Sequence, residues 1–360
     1  MTLGIFSDDF LPFSGGMGRY LVEVTRRLPE ARHLVFSPCD NRIPNHIRVR
    51  PAFHDSLHNI SFSIWLHRAV DRLIDRYALT RINIQCGPGG IFLLKKIRVP
   101  VVATCYHTWW QQSHYIPAQF WKRVFIPFER RTYQRADRVI CISEDSRDIL
   151  AKKYRIPPDK LAVITPGVDT RQFFPMPEIK KRRNSLLYVG RVDRRKGVDF
   201  LIRAMPEVAR QIPDVTLYVG GTGKDLPLLK NFVRAQSLER NVEFLGFIPE
   251  NSLNTWYNQV QCAIAPSVFE GFGLTVVEAM AAGTSVISTR VDSIRRIVRD
   301  GTCGYLVDYG DTAALARRVV DLLGDEATRA KFVEEGLKQV RSLFSWEAVM
   351  DKLAPELLGG

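Results

Sequence analysis

The sequence predicts an α/β protein of two domains, each a parallel β-sheet covered on both faces by helices. Length is the first reason: 360 residues exceed one ordinary core, and domains of about 150 to 180 residues make two the natural division. The second is pattern, because short apolar runs alternate with amphipathic stretches along the whole chain, as strands do with crossover helices. The third is composition: 46% hydrophobic and 25% charged residues describe a globular chain, neither disordered nor membrane-spanning.

Taken in order, the strand-like runs of the first half are residues 3–7, 33–37, 101–106, 138–143 and 162–166. The second half repeats them at 185–189, 216–219, 242–245, 262–265 and 285–288, with helical patterns such as 198–211 between them. Continuous apolar runs mark strands buried on both faces, and sheets of that kind bind ligands beyond the carboxyl ends of their strands. Residues 173–183 change texture, with Pro175 and Pro177 followed by Lys180, Lys181, Arg182 and Arg183, which reads as a linker. The expected division is 1–173, a linker 174–183, a second domain 184–342 and a terminal helix within 343–360.

No apolar run reaches the roughly 18 residues of a spanning helix. Residues 1–7 enter a strand-like run with no basic leader or cleavage site, which predicts a cytoplasmic location. Cys39, Cys86, Cys105, Cys141, Cys262 and Cys303 are scattered without metal-ligand spacing and fit a reducing compartment. The net charge of +13 is uneven: residues 1–180 carry 27 Lys and Arg against 16 Asp and Glu, the remainder 24 against 22. Such an excess suits a phosphorylated acceptor, an anionic lipid surface or nucleic acid, or solubility alone.

Four segments carry candidate chemistry. Residues 267–283, SVFEGFGLTVVEAMAAG, follow one strand and lead into a helix. Gly271 and Gly273 let backbone approach a ligand, and the helix start offers amides to a phosphate or sugar oxygen. Glu270 and Glu278 supply two carboxylates from different elements, good acceptors for hydroxyl protons. Residues 187–197, LYVGRVDRRKG, place Arg191 and Lys196 in a loop where a guanidinium and an ammonium can neutralise a diphosphate, while Arg194 and Arg195 read as solvated. This is not a P-loop, whose G-x-x-x-x-G-K-[ST] is absent. Residues 10–20, FLPFSGGMGRY, put Gly15 and Gly16 between a strand and a helix. His107 ends the strand 101–106, at the edge where ligands bind.

The glutamate, seven-residue spacer, glutamate string at Glu270 and Glu278 closely resembles the motif of glycosyltransferase family 4, retaining GT-B enzymes that use sugar nucleotides. Further matches at residues 142–144, 166–169 (PGVD), 220–223 (GGTG) and 245–249 (LGFIP) extend the resemblance over nearly the whole chain. The resemblance implies a GT-B fold: two Rossmann-like domains facing across a cleft, with the C-terminal helix crossing back to the N-domain. It implies that Glu270 binds donor-sugar hydroxyls beside the amides of Gly271, Phe272, Gly273 and Leu274, and that Glu278 binds the ribose. Arg191 and Lys196 would hold the diphosphate, Phe247 and Ile248 the base, Gly15 and Gly16 the donor phosphates. His107 would contact the donor sugar, although Thr108 follows it where the family usually has aspartate.

The implied activity is retaining transfer of a hexose from a UDP-sugar or GDP-mannose to a glycan or a polyprenyl- or lipid-linked acceptor of envelope synthesis. With one carboxylate at the sugar, front-side displacement is the implied mechanism. No D-x-D string occurs, so neither metal nor cofactor is expected. Residues 120–135, FWKRVFIPFERRTYQR, mix aromatic and basic side chains in a way that suits anionic lipid on the inner membrane face, with Pro127 as a kink. A sugar-nucleotide epimerase of the same fold is the alternative reading. A nucleic-acid binder is the other, although no recognised binding motif is present.

Overall fold

The computed structural model describes every residue except 1, 13–15, 40–42, 52–57, 89, 116 and 360. The chain separates into two compact units, residues 1–166 with 349–360, and residues 167–348.

Unit 1 holds seven strands: β1 (Leu3–Phe6), β2 (His33–Ser37), β3 (His46–Arg48), β4 (Arg81–Cys86), β5 (Val101–Cys105), β6 (Arg138–Cys141) and β7 (Leu161–Val163). They pair in the order β3-β2-β1-β4-β5-β6-β7, all parallel, so the order reverses between β1 and β4. Helices cover the sheet, and Phe6, Phe36, Phe62, Ile82, Ile84 and Tyr133 lie in its buried core. The rings of Phe6 and Phe36 stack 4.6 Å apart.

Strand β4, at the centre of this sheet, is not among the apolar runs read from the sequence. Arg81, Asn83 and Gln85 interrupt its apolar side chains, and the structure buries both amides by giving them partners. Asn83 Nδ2 donates to Val102 O at 3.1 Å and to Thr104 Oγ1 at 3.0 Å. Gln85 Oε1 accepts from the Tyr106 hydroxyl at 2.6 Å. A buried amide so satisfied costs little, which is why a polar string can occupy a central strand. The period-two placement of Ile82, Ile84 and Cys86 is the signal that identifies it.

The terminal helix Trp346–Leu358 returns to unit 1, to which residues 349–360 belong. Arg138 grips Glu356 with two bonds, Nη2 to Oε1 at 2.6 Å and Nε to Oε2 at 2.8 Å, while Arg81 Nη1 donates to the Glu356 carbonyl at 3.0 Å. Such a bidentate fork fixes direction as well as distance.

Unit 2 holds β8 (Ser185–Val189), β9 (Thr216–Gly220), β10 (Val242–Gly246), β11 (Cys262–Ala265), β12 (Ser285–Thr289) and β13 (Tyr305–Val307). All pairs are parallel in the order β10-β9-β8-β11-β12-β13. The helix Val198–Gln211 buries Val198, Leu201, Ile202, Met205 and Val208 against the sheet, a stripe at helical spacing. Each such side chain stabilises by about 1.5–3 kcal/mol relative to exposure. The stretch 173–183, read as a linker, lies on this unit: Phe173 is buried, and Lys181 Nζ donates to the carbonyls of Val260 at 2.9 Å and Asn258 at 3.3 Å. Its basic texture therefore serves backbone carbonyls as well as solvent.

Candidate functional site

The order of strands in unit 2 reverses between β8 and β11, so the loops after these two strands flank a crevice at the carboxyl edge of the sheet. Both loops carry the residues singled out in the sequence. Asp193 caps a short 3-10 turn, Arg194–Lys196, by accepting from the Lys196 amide. Gly197 closes that turn at φ +66°, and a Cβ there would lie 1.9 Å from the Pro266 carbonyl. Only glycine lets the two loops meet at this point. They are then stitched together: the Val268 amide donates to the Arg195 carbonyl at 2.9 Å, and Arg195 Nη1 donates to the Phe269 carbonyl at 3.2 Å.

The result is an ion pair between residues 74 apart in sequence. Lys196 Nζ lies 2.5 Å from Glu270 Oε1, with the two side chains 19% and 10% exposed. Ser267 Oγ donates to the same oxygen at 2.8 Å, while Oε2 stands 3.9 Å from Arg195 Nη1. Ser293 Oγ holds the Glu270 carbonyl at 3.0 Å. Burial alone would raise the Glu270 carboxyl, but the Lys196 ammonium and the Arg195 guanidinium outweigh it and hold the group below the ordinary carboxylate value. Burial lowers Lys196, with Glu270 opposing and the Arg195 and Arg191 charges adding to the fall. The cluster thus presents a carboxylate with one oxygen still open to a hydroxyl donor, beside a concentrated positive field.

Arg195 corrects the reading of it as solvated: its side chain is 23% exposed and bridges the two loops, because the turn directs it at Phe269 and Glu270. Arg194 is exposed as expected. Arg191 is not drawn onto Glu270; its side chain is exposed and pairs with Asp193 at 3.4 Å. The Tyr188 hydroxyl fixes the Arg191 carbonyl at 2.6 Å, so the backbone is held while the guanidinium stays in solvent.

The helix Leu274–Ala281 starts directly after Gly273, and its first turn leaves amides without intrahelical partners. Gly271 and Leu274 are partly exposed there, whereas Phe272 turns inward and sets its ring against Phe344 with centroids 5.8 Å apart. Glu278 lies on the same helix, buried, and accepts from the Tyr257 hydroxyl at 3.3 Å. Beyond β10, Phe247 is 76% exposed while Ile248 is buried, its Cδ1 occupying the space a Cβ on Gly220 would need.

In unit 1, Gly15 lies outside the described residues. Gly16 opens the helix Gly16–Thr25, and a Cβ there would meet nothing within 4 Å, so its backbone is accessible. His107 follows β5, half-buried. The residues after it are tightly held: the Thr108 amide and hydroxyl both donate to Gln111 Oε1, at 2.7 and 3.0 Å, and the Trp109 amide donates to Glu129 Oε2 at 2.9 Å. Glu129 is buried and also accepts from the Tyr154 hydroxyl. No sequence signal separates this internal acid from the cations around it.

Two family models match, Glycosyltransferase Family 4 over residues 14–172 and Glycosyl transferases group 1 over residues 169–339. The phosphatidyl-myo-inositol mannosyltransferase of Mycobacterium leprae is 28% identical, covering 98% of this chain and 95% of that protein. Among solved structures, sucrose-phosphate synthase from Thermosynechococcus elongatus superposes with a TM-score of 0.84 at 23% identity, covering 99% of each chain. The Anabaena protein HepE, in complex with UDP and glucose, superposes with a TM-score of 0.78 at 18% identity, again over 99% of each. The two parallel-sheet units, the returning terminal helix and these matches give the fold as GT-B, and the chain belongs to the group 1 glycosyltransferases of glycosyltransferase family 4.

Proposed function

We propose that this enzyme transfers a hexose, with retention of anomeric configuration, from a UDP-sugar or GDP-mannose to a lipid-linked or glycan acceptor at the inner face of a membrane. The observation that carries the reading is the Lys196–Glu270 pair at the strand-order reversal, where a charged diphosphate and a polyhydroxylated sugar would each find a partner. In this reading Lys196 and Arg191 hold the diphosphate, and Glu270 Oε2 accepts from a sugar hydroxyl. The backbone of residues 271–274 faces donor oxygens, Glu278 takes the ribose, and Phe247 and Ile248 take the base. Gly15, Gly16 and His107 keep the donor-contacting roles that the family resemblance implies.

The chemistry is a front-side displacement. The acceptor oxygen bonds to the anomeric carbon on the face from which the diphosphate departs, and the departing oxygen takes the acceptor proton. Cations fixed at that oxygen stabilise the charge it gains, the kind of interaction worth about 2.7–4 kcal/mol when one donor is removed. The names of the relatives support the classes of ligand: one is a phosphatidyl-myo-inositol mannosyltransferase, and one was solved in complex with UDP and glucose. Among the described residues no helix is long and apolar enough to cross a membrane.

The test is thermal unfolding of the whole protein with UDP, GDP, ADP and their sugars, repeated for Lys196→Ala. At about 100 times its dissociation constant a ligand of the native state adds roughly 2.7 kcal/mol. A shift with one nucleotide sugar that the variant loses is expected; no shift with any of them sinks the donor reading. Turnover is then followed by NMR in excess chelator. An inverted product refutes retention, and loss of turnover refutes metal independence.

A further inference from the structure

We propose that unit 1 docks onto anionic phospholipid bilayers through one face built from two separate segments, residues 92–96 and 120–135. The proposal rests on the membrane reading above and names its surface. The second segment runs as a 3-10 stretch, Pro117–Phe125, and then the helix Ile126–Arg135, with Pro127 at the break. Four large apolar side chains on it stand in solvent: Phe120 at 58% exposure, Trp121 at 64%, Val124 at 60% and Phe128 at 48%. Exposed apolar groups in such a cluster mark an interaction surface.

The tertiary structure adds the first segment. The Phe92 ring lies 6.1 Å from both Phe125 and Phe128. The Leu93 amide donates to Thr132 Oγ1 at 2.9 Å, and Arg135 Nη1 donates to the Leu93 carbonyl at 3.3 Å. These ties bring exposed Leu94 and Lys96 to the same face.

Charge identifies the occupant. Residues 120–135 hold Lys122, Arg123, Arg130, Arg131 and Arg135 against one acid, Glu129, and that acid is buried beneath them. The Arg123 guanidinium sits 4.2 Å from the centre of the Phe120 ring, and the Lys122 ammonium 5.7 Å from that of Trp121. Aromatic rings capped by cations suit the headgroup layer, where rings enter the acyl boundary and cations meet lipid phosphates. A second copy of this face would bring like charges together, and a nucleic acid would leave Leu94, Val124 and Phe128 without partners.

The experiment is co-sedimentation of the full chain with vesicles of phosphatidylcholine alone and of phosphatidylcholine mixed with phosphatidylglycerol. Expected are binding to the anionic vesicles only, weakened by salt, and a blue shift of tryptophan emission on binding. Each basic residue near an anionic surface contributes roughly fivefold, so Lys122→Glu with Arg123→Glu weakens binding by at least about tenfold. The same reversals at Lys230 and Arg234 on unit 2 leave it unchanged. Phe120→Ser with Trp121→Ser removes the salt-resistant part of the binding and the blue shift. Circular dichroism confirms that each variant is folded.

Equal binding to neutral vesicles, no binding to either, or variants that bind as the parent does would overturn the proposal. So would an aromatic variant whose sedimentation velocity changes from dimer to monomer, since the face would then pair with itself. Vesicle binding requires no donor, so its failure leaves the transferase reading standing, and a missing nucleotide shift leaves the docking result standing.

Discussion

Replacing Lys196 and Glu270 singly and together separates what their ion pair does for stability from what it does for chemistry. Lys196→Met strands a carboxylate that is 10% exposed, with Ser267 at 2.8 Å and Arg195 at 3.9 Å as its remaining partners. Breaking a fully buried pair costs about 3–5 kcal/mol. Residual exposure and Arg195 reduce this to about 2 kcal/mol here. Glu270→Gln keeps the shape but leaves Lys196 beside Arg195 without its counter-charge, again at about 2 kcal/mol. The double variant removes both charges, so its cost is also about 2 kcal/mol instead of 4, a coupling of about 2 kcal/mol. For a unit of this size each single variant lowers the melting temperature by about 4–8 °C in scanning calorimetry. Turnover behaves differently: all three variants are expected to lose at least about a hundredfold, because at least one group proposed to meet the donor is gone in each. Additive costs without coupling would show that the pair does not form in solution. A double variant with near-parental turnover would refute the role assigned to it.

Three further outcomes follow from the geometry. Gly197→Ala forces a Cβ toward the Pro266 carbonyl at φ +66°, adding about 1–2 kcal/mol of backbone strain to the clash and separating the two loops; thermal unfolding of the variant is expected to show a lower midpoint and no donor shift, and a parental shift contradicts the role of this contact. Phe247→Ala, at a side chain 76% exposed, leaves the melting temperature within the equivalent of about 0.5 kcal/mol but weakens nucleotide binding threefold to tenfold, roughly what one ring contact is worth; unchanged affinity in titration calorimetry removes it from the base site. Burial pushes the Glu129 carboxyl up to about 8 against hydrogen bonds from the Tyr154 hydroxyl and the Trp109 amide. A raised carboxyl contributes stability that is complete below its ordinary value and is lost as pH rises toward 8, with a slope of up to about 1.4 kcal/mol per pH unit. Denaturant unfolding of Glu129→Gln should lack that slope, and an equal slope in both proteins assigns it elsewhere.

What the sequence determined by itself was local: the plainly apolar strands and the short strings of the two loops. Apolar runs such as Ser185–Val189 and Cys262–Ala265 announce buried parallel strands, since each needs only its own side chains to be recognised. The loops after them carry Lys196, Glu270 and their glycines in strings short enough to resemble a known family. What only the tertiary structure decided depends on partners distant in sequence. Strand β4 hides behind Asn83 and Gln85, whose burial makes sense only once Val102, Thr104 and Tyr106 accept or supply their bonds. Arg195 reads as one more solvated cation until the second loop, about 70 residues on, offers it the Phe269 carbonyl. Leu94 joins the aromatic face through Phe92 and Thr132, neither of which signals a surface. Pattern reports how a segment buries itself, whereas the satisfaction of a buried polar group and the continuity of a surface belong to pairs of segments, and pairs exist only after the chain has folded.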